Sequence, residues 1–175
     1  MLPPVRNSDT GQRKADMSSI EQEIGDTLRR RGMTLGVVES ATGGLISHRI
    51  TNVPGSSDYY KGSVTAYSNE AKIRVVGVKK ETIDRYGAVS ARVAEEMAER
   101  GRKLLAVDVC IADTGIAGPG GATPEKPAGL FYLGLSHRGR TYSQQHNFAG
   151  SREQNKQDAA EAALKWLKEY LSGLN

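Results

Sequence analysis

The sequence predicts an α/β layered domain built on a mixed sheet. Three observations carry that expectation. Short apolar runs of strand length alternate along the chain with stretches whose apolar residues recur every three or four positions. Two of the strand-like runs are separated only by His137-Arg138-Gly139-Arg140, the signature of a hairpin and hence of an antiparallel pair. The length, 175 residues and 18.9 kDa, suits one domain with a core of its own.

Each element follows from its residues. Residues 1–16 hold two prolines and almost no apolar side chains, which predicts a loose tail ahead of a domain over 17–175. Met17, Ile20, Ile24 and Leu28 mark a helix stopped by Gly32. A strand over Met33–Val38 follows, then a second helix after Gly43-Gly44 with Leu45, Ile46 and Ile50 on one face. Pro54-Gly55-Ser56-Ser57 is a loop and Tyr59–Ala66 a strand. Ser68 caps a short helix, Lys79–Tyr86 forms another, and Ser90–Ala106 a longer one. Val107–Ala112 is nearly all apolar, as a central strand buried on both sides should be. Leu130–Ser136 and Thr141–Phe148 make the hairpin, and Ser151–Leu171 closes the chain as an amphipathic helix.

Composition removes several function classes. No apolar run approaches the ~18 residues of a membrane span, and the first residues lack the apolar core of a signal peptide. One cysteine, Cys110, allows no internal disulfide, and His48, His137 and His146 show no metal-ligand spacing. A cytoplasmic protein without metal or cofactor is the expectation. The net charge of +4 is dispersed, and with two Phe and one Trp there is little to stack on nucleic-acid bases. The unusual feature is glycine, 20 residues or roughly 11% against a usual ~7%.

Four segments carry candidate chemistry. In Glu39-Ser40-Ala41-Thr42-Gly43-Gly44 a buried strand hands over to a helix, at the strand edge where ligands bind in open α/β sheets. Its glycines admit a close ligand, and the helix start offers amides to an anion; the plainer reading is a tight turn capped by Ser40 or Thr42. In Tyr67-Ser68-Asn69-Glu70-Ala71-Lys72 a lysine opposes the helix dipole. Solvation is the plainer account of Lys72; desolvated, it would serve as a general base with Tyr67 orienting or relaying its proton. Residues 114–129 hold five glycines (Gly115, Gly118, Gly120, Gly121 and Gly129) and three of the six prolines. Such a loop is either an unliganded surface segment or an anion nest or oxyanion hole, with Lys126 able to approach a phosphate. Arg152, opening the last helix, suits carboxylate or phosphate binding or a surface ion pair. Glu39 is either a buried carboxylate that orients the site or an ion-pair partner, and Cys110 reads as inert core.

Taken in order, ESATGG, PGSS, YSNEAK, GAVS and TGIAGPGGATPEKPAG resemble the CinA C-terminal domain family, whose members include nicotinamide-nucleotide amidases of the PncC type. The resemblance covers roughly Ile20 to Leu171 and implies a three-layer α/β/α domain with a mixed, mostly parallel sheet. It also implies hydrolysis of the carboxamide of nicotinamide mononucleotide to nicotinate mononucleotide and ammonia, in a homodimer. The family's catalytic serine falls on Ser40, and its tyrosine and lysine on Tyr67 and Lys72. Glu39, Thr42, Gly43, Gly44, Asn69, Gly115, Gly118, Gly120, Gly121, Lys126 and Arg152 are the expected substrate-binding residues. One departure stands out: the family's usual ESCTGG has Ala41 in place of cysteine, which leaves Ser40 as the motif's nucleophile. Many members carry an additional N-terminal domain, for which the ~17 residues before the first helix leave no room. The competing expectations are a nucleotide-binding regulatory module without turnover, supported by Ala41, and an interaction module suggested by the family's name alone.

Overall fold

The computed structural model describes residues 18–174; the expected tail and Met17 lie outside them. Five strands form one sheet in the order β2-β1-β3-β4-β5: β1 (Leu35–Glu39), β2 (Tyr60–Thr65), β3 (Val109–Gly115), β4 (Leu130–His137) and β5 (Arg140–Asn147). β1 is parallel to both β2 and β3, whereas β4 is antiparallel to both β3 and β5. Only β4 therefore runs against the rest, so the sheet is mostly parallel in strand direction. The ladders themselves divide evenly, two parallel and two antiparallel.

Helices cover both faces, giving the three layers. On one side lie α1 (Ile20–Arg31), α2 (Leu45–Thr51) and α6 (Arg152–Ser172); Ile24, Leu28, Ile46, Ile50, Leu164 and Leu167 bury against Val37, Ile111 and Leu133. On the other lie α4 (Lys80–Tyr86) and α5 (Ala91–Leu104), whose Ile83, Val93 and Met97 bury against Val38, Cys110 and Ala112. Adjacent residues of β1 and β3 thus face opposite cores, which is why both strands read as continuous apolar runs. Each fully buried Val, Leu, Ile or Met among them contributes about 1.5–3 kcal/mol. α5 lies directly on β4, because a methyl group at Gly134 would collide with the Ala94 carbonyl.

The helix ends follow from local chemistry. Ser19 and Gln22 form a capping box at the start of α1, and Gly32, at φ +63°, closes it. Ser68, Ser90 and Ser151 each accept an amide of the helix they precede. Ser68 opens α3 (Asn69–Ala71), which continues directly as a π turn over Lys72–Val76. β3 runs three residues beyond the expected Ala112, because Asp113, Thr114 and Gly115 still pair with β4 opposite Leu133, Tyr132 and Phe131. That extension carries a polar residue, Asp113, to the strand end. The remainder of the glycine-rich loop is irregular yet tied down, by Ile116 N–H to the Leu130 carbonyl and Gly129 N–H to the Ile116 carbonyl. Among the described residues no helix is long and apolar enough to cross a membrane.

Candidate active site

The carboxyl ends of β1 and β3 meet at one point, and two carboxylates arrive there together. Val38 pairs with Ala112, so Glu39 and Asp113 are the next residues on adjacent parallel strands. Counting by twos from Val37 and Ile111, both belong to the face covered by α2 and α6. Both are wholly buried.

Each carboxylate is spent on backbone amides. Asp113 accepts from the amides of Ser40 (3.0 Å), Ala41 (2.9 Å) and Thr42 (3.2 Å). Glu39 accepts from the amides of Gly44 (2.9 Å), Ile46 (3.0 Å) and Ser47 (2.9 Å), and from the Ser47 hydroxyl. Glu39 therefore occupies the amino end of α2, where the dipole favours a negative charge. Thr42 Oγ1 lies within hydrogen-bond distance of both acids, yet a hydroxyl has one hydrogen to give. The second contact is completed when a carboxyl takes up a proton, and Asp113 does so below about pH 6: burial pushes its pKa up to about 6, against the opposing pull of Thr42 and the Ser40 amide.

The turn so fixed presents Ser40, itself 5% exposed, to Lys72. Lys72 Nζ lies 2.8 Å from Ser40 Oγ, 3.0 Å from the Ala66 carbonyl and 3.4 Å from the Tyr67 carbonyl. The lysine is 2% exposed, so the solvated reading of this residue does not hold. Burial lowers its pKa, while the charge of Asp113 acts to raise it. The π turn begins at this lysine, whose carbonyl takes the amides of both Gly77 and Val78. Single π turns of this kind occur often at functional sites.

In front of Ser40 lies a cavity of about 220 Å³ walled by Ala41, Tyr67, Gly115, Ala117, Gly120, Gly121 and Arg152. Arg152 spans its mouth, donating to the Gly118 carbonyl and to the Tyr67 hydroxyl, each at 2.8 Å. Among the described residues the amides of Ala117, Gly120 and Gly121 have no protein acceptor, so they remain available to a ligand.

The other expected site residues are placed differently. Tyr67 meets Lys72 through its backbone carbonyl, whereas its hydroxyl is held by Arg152. Lys126 does not face the cavity: its ammonium donates to the carbonyls of Tyr86 (2.9 Å) and Val89 (2.7 Å), pinning the loop to the α4–α5 junction. Asn69 is exposed and is not among the residues walling the cavity. Glu39 is structural, and its capture of the α2 amides corrects the expectation that the helix start is open to an external anion. Thr42, Gly43 and Gly44 wall a second cavity on the far side of Arg152. Ala41 packs with Ala117, Phe131 and Ala159, so its methyl group serves the core beside Ser40. Asp113 and Ser47 escaped the reading of the sequence. For Asp113 the signal was present, since an acid ends the apolar run of β3 as Glu39 ends that of β1.

A family model described as the CinA C-terminal domain matches residues 17–171. The chain belongs to this family. A CinA-like protein of Salinibacter ruber is 47% identical over 154 residues, 88% of this chain and 37% of that protein. A CinA-like protein of Dictyoglomus thermophilum is 43% identical over 157 residues, 90% of this chain and 38% of that one. The chain thus spans less than two fifths of the length of these curated relatives. Among solved structures, competence damage-inducible protein A (ComA) of Klebsiella pneumoniae superposes with a TM-score of 0.86 at 32% identity, covering 89% of this chain and 97% of that one. The competence/damage inducible protein CihA of Agrobacterium tumefaciens gives 0.79 at 33% identity, covering 89% and 99%.

Proposed function

We propose that this CinA-family chain is an amidohydrolase that converts nicotinamide mononucleotide to nicotinate mononucleotide and ammonia through a Ser40–Lys72 pair. The observation that carries the reading is the arrangement of three acceptors around Lys72 Nζ. A neutral amine has two N–H bonds and one lone pair. With the Ala66 and Tyr67 carbonyls taking the two hydrogens, the lone pair faces Ser40 Oγ, as a general base requires. Burial favours that neutral form.

In the first half-reaction Ser40 Oγ attacks the carboxamide carbon while its proton passes to Lys72. The oxyanion forms against the loop amides of Ala117, Gly120 and Gly121, since those of Ser40, Ala41 and Thr42 already belong to Asp113. Collapse breaks the carbon–nitrogen bond, and ammonia departs with the proton. Lys72 returns that proton to the leaving nitrogen, and Tyr67 acts by positioning: its oxygen accepts from Arg152, which leaves its own hydrogen free to donate to the substrate. A water then attacks the serine ester, Lys72 takes its proton, and nicotinate mononucleotide leaves with Ser40 restored. The loop prolines and the Lys126 tether hold the amides in place ahead of the reaction. The pyridinium charge makes the carboxamide electron-poor, so protein groups suffice for this chemistry. Arg152, at the mouth, faces the phosphate end of the nucleotide. A cytoplasmic homodimer acting on a small nucleotide, apart from nucleic acid and membrane, completes the reading.

The test is ammonia release from nicotinamide mononucleotide by the purified chain. Turnover that disappears in Ser40→Ala and in Lys72→Ala, with folding intact, is the expected result. Near-normal rates in either variant would overturn the pair, and binding without turnover in the parent would favour the regulatory module.

A further inference from the structure

We propose that the cavity on the far side of Arg152 is a phosphate subsite, and that Lys156 in it makes the site select a nucleotide over its nucleoside. The inference rests on the amidohydrolase reading and adds a residue and a place to it. The cavity measures about 540 Å³, more than twice the space in front of Ser40, and the two share Arg152 as a common wall. Its other walls include Gly43, Gly44, His48, Glu153 and Lys156.

Arg152 and Lys156 stand four residues apart on α6, hence on one face and about 6 Å apart along the axis. Two like charges in that arrangement repel each other unless an anion lies between or beside them. The other two cations of this helix have carboxylates: Lys165 pairs with Glu161 and Lys168 with Glu23. Among the described residues neither Arg152 nor Lys156 has one; the partners of Arg152 are the neutral Gly118 carbonyl and Tyr67 hydroxyl.

Backbone shape favours the same occupant. Gly43 and Gly44 have φ of +67° and +102°, so this wall carries no side chain. The ammonium of Lys156 lies over it, 3.5 Å from where a Cβ on Gly43 would stand. The amino end of α2 is closed to an external anion by Glu39, which leaves the side-chain cations as the source of positive potential. Glu153 and His48 complete the polar lining, and the two cations, without a carboxylate partner among the described residues, suit the cavity to an anionic group. In a nucleotide whose carboxamide is at Ser40, the 5′-phosphate is the group at the opposite end, and Arg152 marks the passage between them.

The experiment compares kcat/KM for nicotinamide mononucleotide with that for nicotinamide riboside, the same molecule without the phosphate. Lys156→Gln should raise KM for the nucleotide about tenfold with kcat within about twofold, shrinking the preference over the riboside by the same factor, as expected for one charge-assisted contact. Lys156→Arg should restore the preference. An unchanged preference in Lys156→Gln overturns the subsite. A second arm needs no turnover: calorimetric titration with ribose 5-phosphate should show weaker binding to Lys156→Gln by a similar factor. If the parent releases no ammonia yet binds ribose 5-phosphate through Lys156, the catalytic reading falls and the subsite stands. If the parent hydrolyses nucleotide and riboside equally well, the subsite falls and the catalytic reading stands.

Discussion

Two glycine-bearing segments border the cavity, and they have opposite fates. In the 39–44 turn nearly every amide is claimed from within, by Asp113 for residues 40–42 and by Glu39 for Gly44 and the first amides of α2. In the 115–121 loop the amides of Ala117, Gly120 and Gly121 have no such claimant among the described residues. Both stretches look like anion cradles in the sequence. What separates them is the presence of a buried acid behind one and not the other. The first is a turn held rigid around Ser40, and the second a stretch whose amides have no acceptor within the protein among the described residues. Whether a glycine-rich turn binds an anion thus depends on which acceptors reach its amides first.

Substitutions that strike chemistry, rigid turn and loop should separate by size and by kind. Ser40→Ala or Lys72→Met should lower kcat at least about a thousandfold while the far-ultraviolet circular dichroism is unchanged, because the two act as a unit. Asp113→Asn replaces an acceptor of three amides by a group that is half donor, and should cost about 2–4 kcal/mol in urea unfolding. Gly120→Ala does the reverse: no atom lies within 4 Å of the added methyl, so stability should hold within about 0.5 kcal/mol while kcat/KM falls. Should Gly120→Ala unfold the protein, or Asp113→Asn leave stability unaltered, the contrast between rigid turn and loop would be lost. The smallest effect on turnover belongs to Lys126→Met, which frees the loop from Tyr86 and Val89 and should raise KM a few-fold at a cost of about 1 kcal/mol in stability.

The two titrating groups give the contrast a pH signature. Lys72 is depressed by burial, so the neutral base accumulates as pH rises through its lowered pKa, and kcat/KM should climb across that interval, below the usual lysine range. Asp113 is raised to about 6, so its folded form holds a proton that the unfolded chain releases near 4. The native state then binds more protons than the unfolded state between those values. Stability from this group is full below about pH 4 and declines as pH rises toward 6. Asp113→Asn should flatten the decline, measurable as urea midpoints at pH 4.5 and 6.5, and should move the acid limb of kcat/KM downward by removing a negative charge near Lys72.

Much of this arrangement is legible in the residues. Period and punctuation set the order of strands and helices, because the apolar faces of α5 and α6 and the double-sided burial of β1 and β3 are properties of local spacing. The Ser40–Lys72 meeting was accessible only through motif order, since those residues lie 32 positions apart and the π turn that aims the lysine has no mark in the spacing of apolar residues. Lys126 misled because its neighbours Glu125 and Pro127 look like an exposed loop, while the carbonyls that hold it belong to residues some 40 positions earlier. Asp113 stands just past the expected end of β3, and only its pairing with Leu133 across the sheet brings it into the strand. In each case the missing information was the partner across the fold, not the nature of the residue.

Cys110 sits mid-strand at zero exposure, and burial raises its thiol far above the ordinary range. It is the sole cysteine of the chain. Reagents that modify both thiols and activated hydroxyls therefore meet no competing sulfur on the native protein. A fluorophosphonate probe should label one serine, and the labelled fraction would count competent sites directly in a mixture of active and damaged molecules.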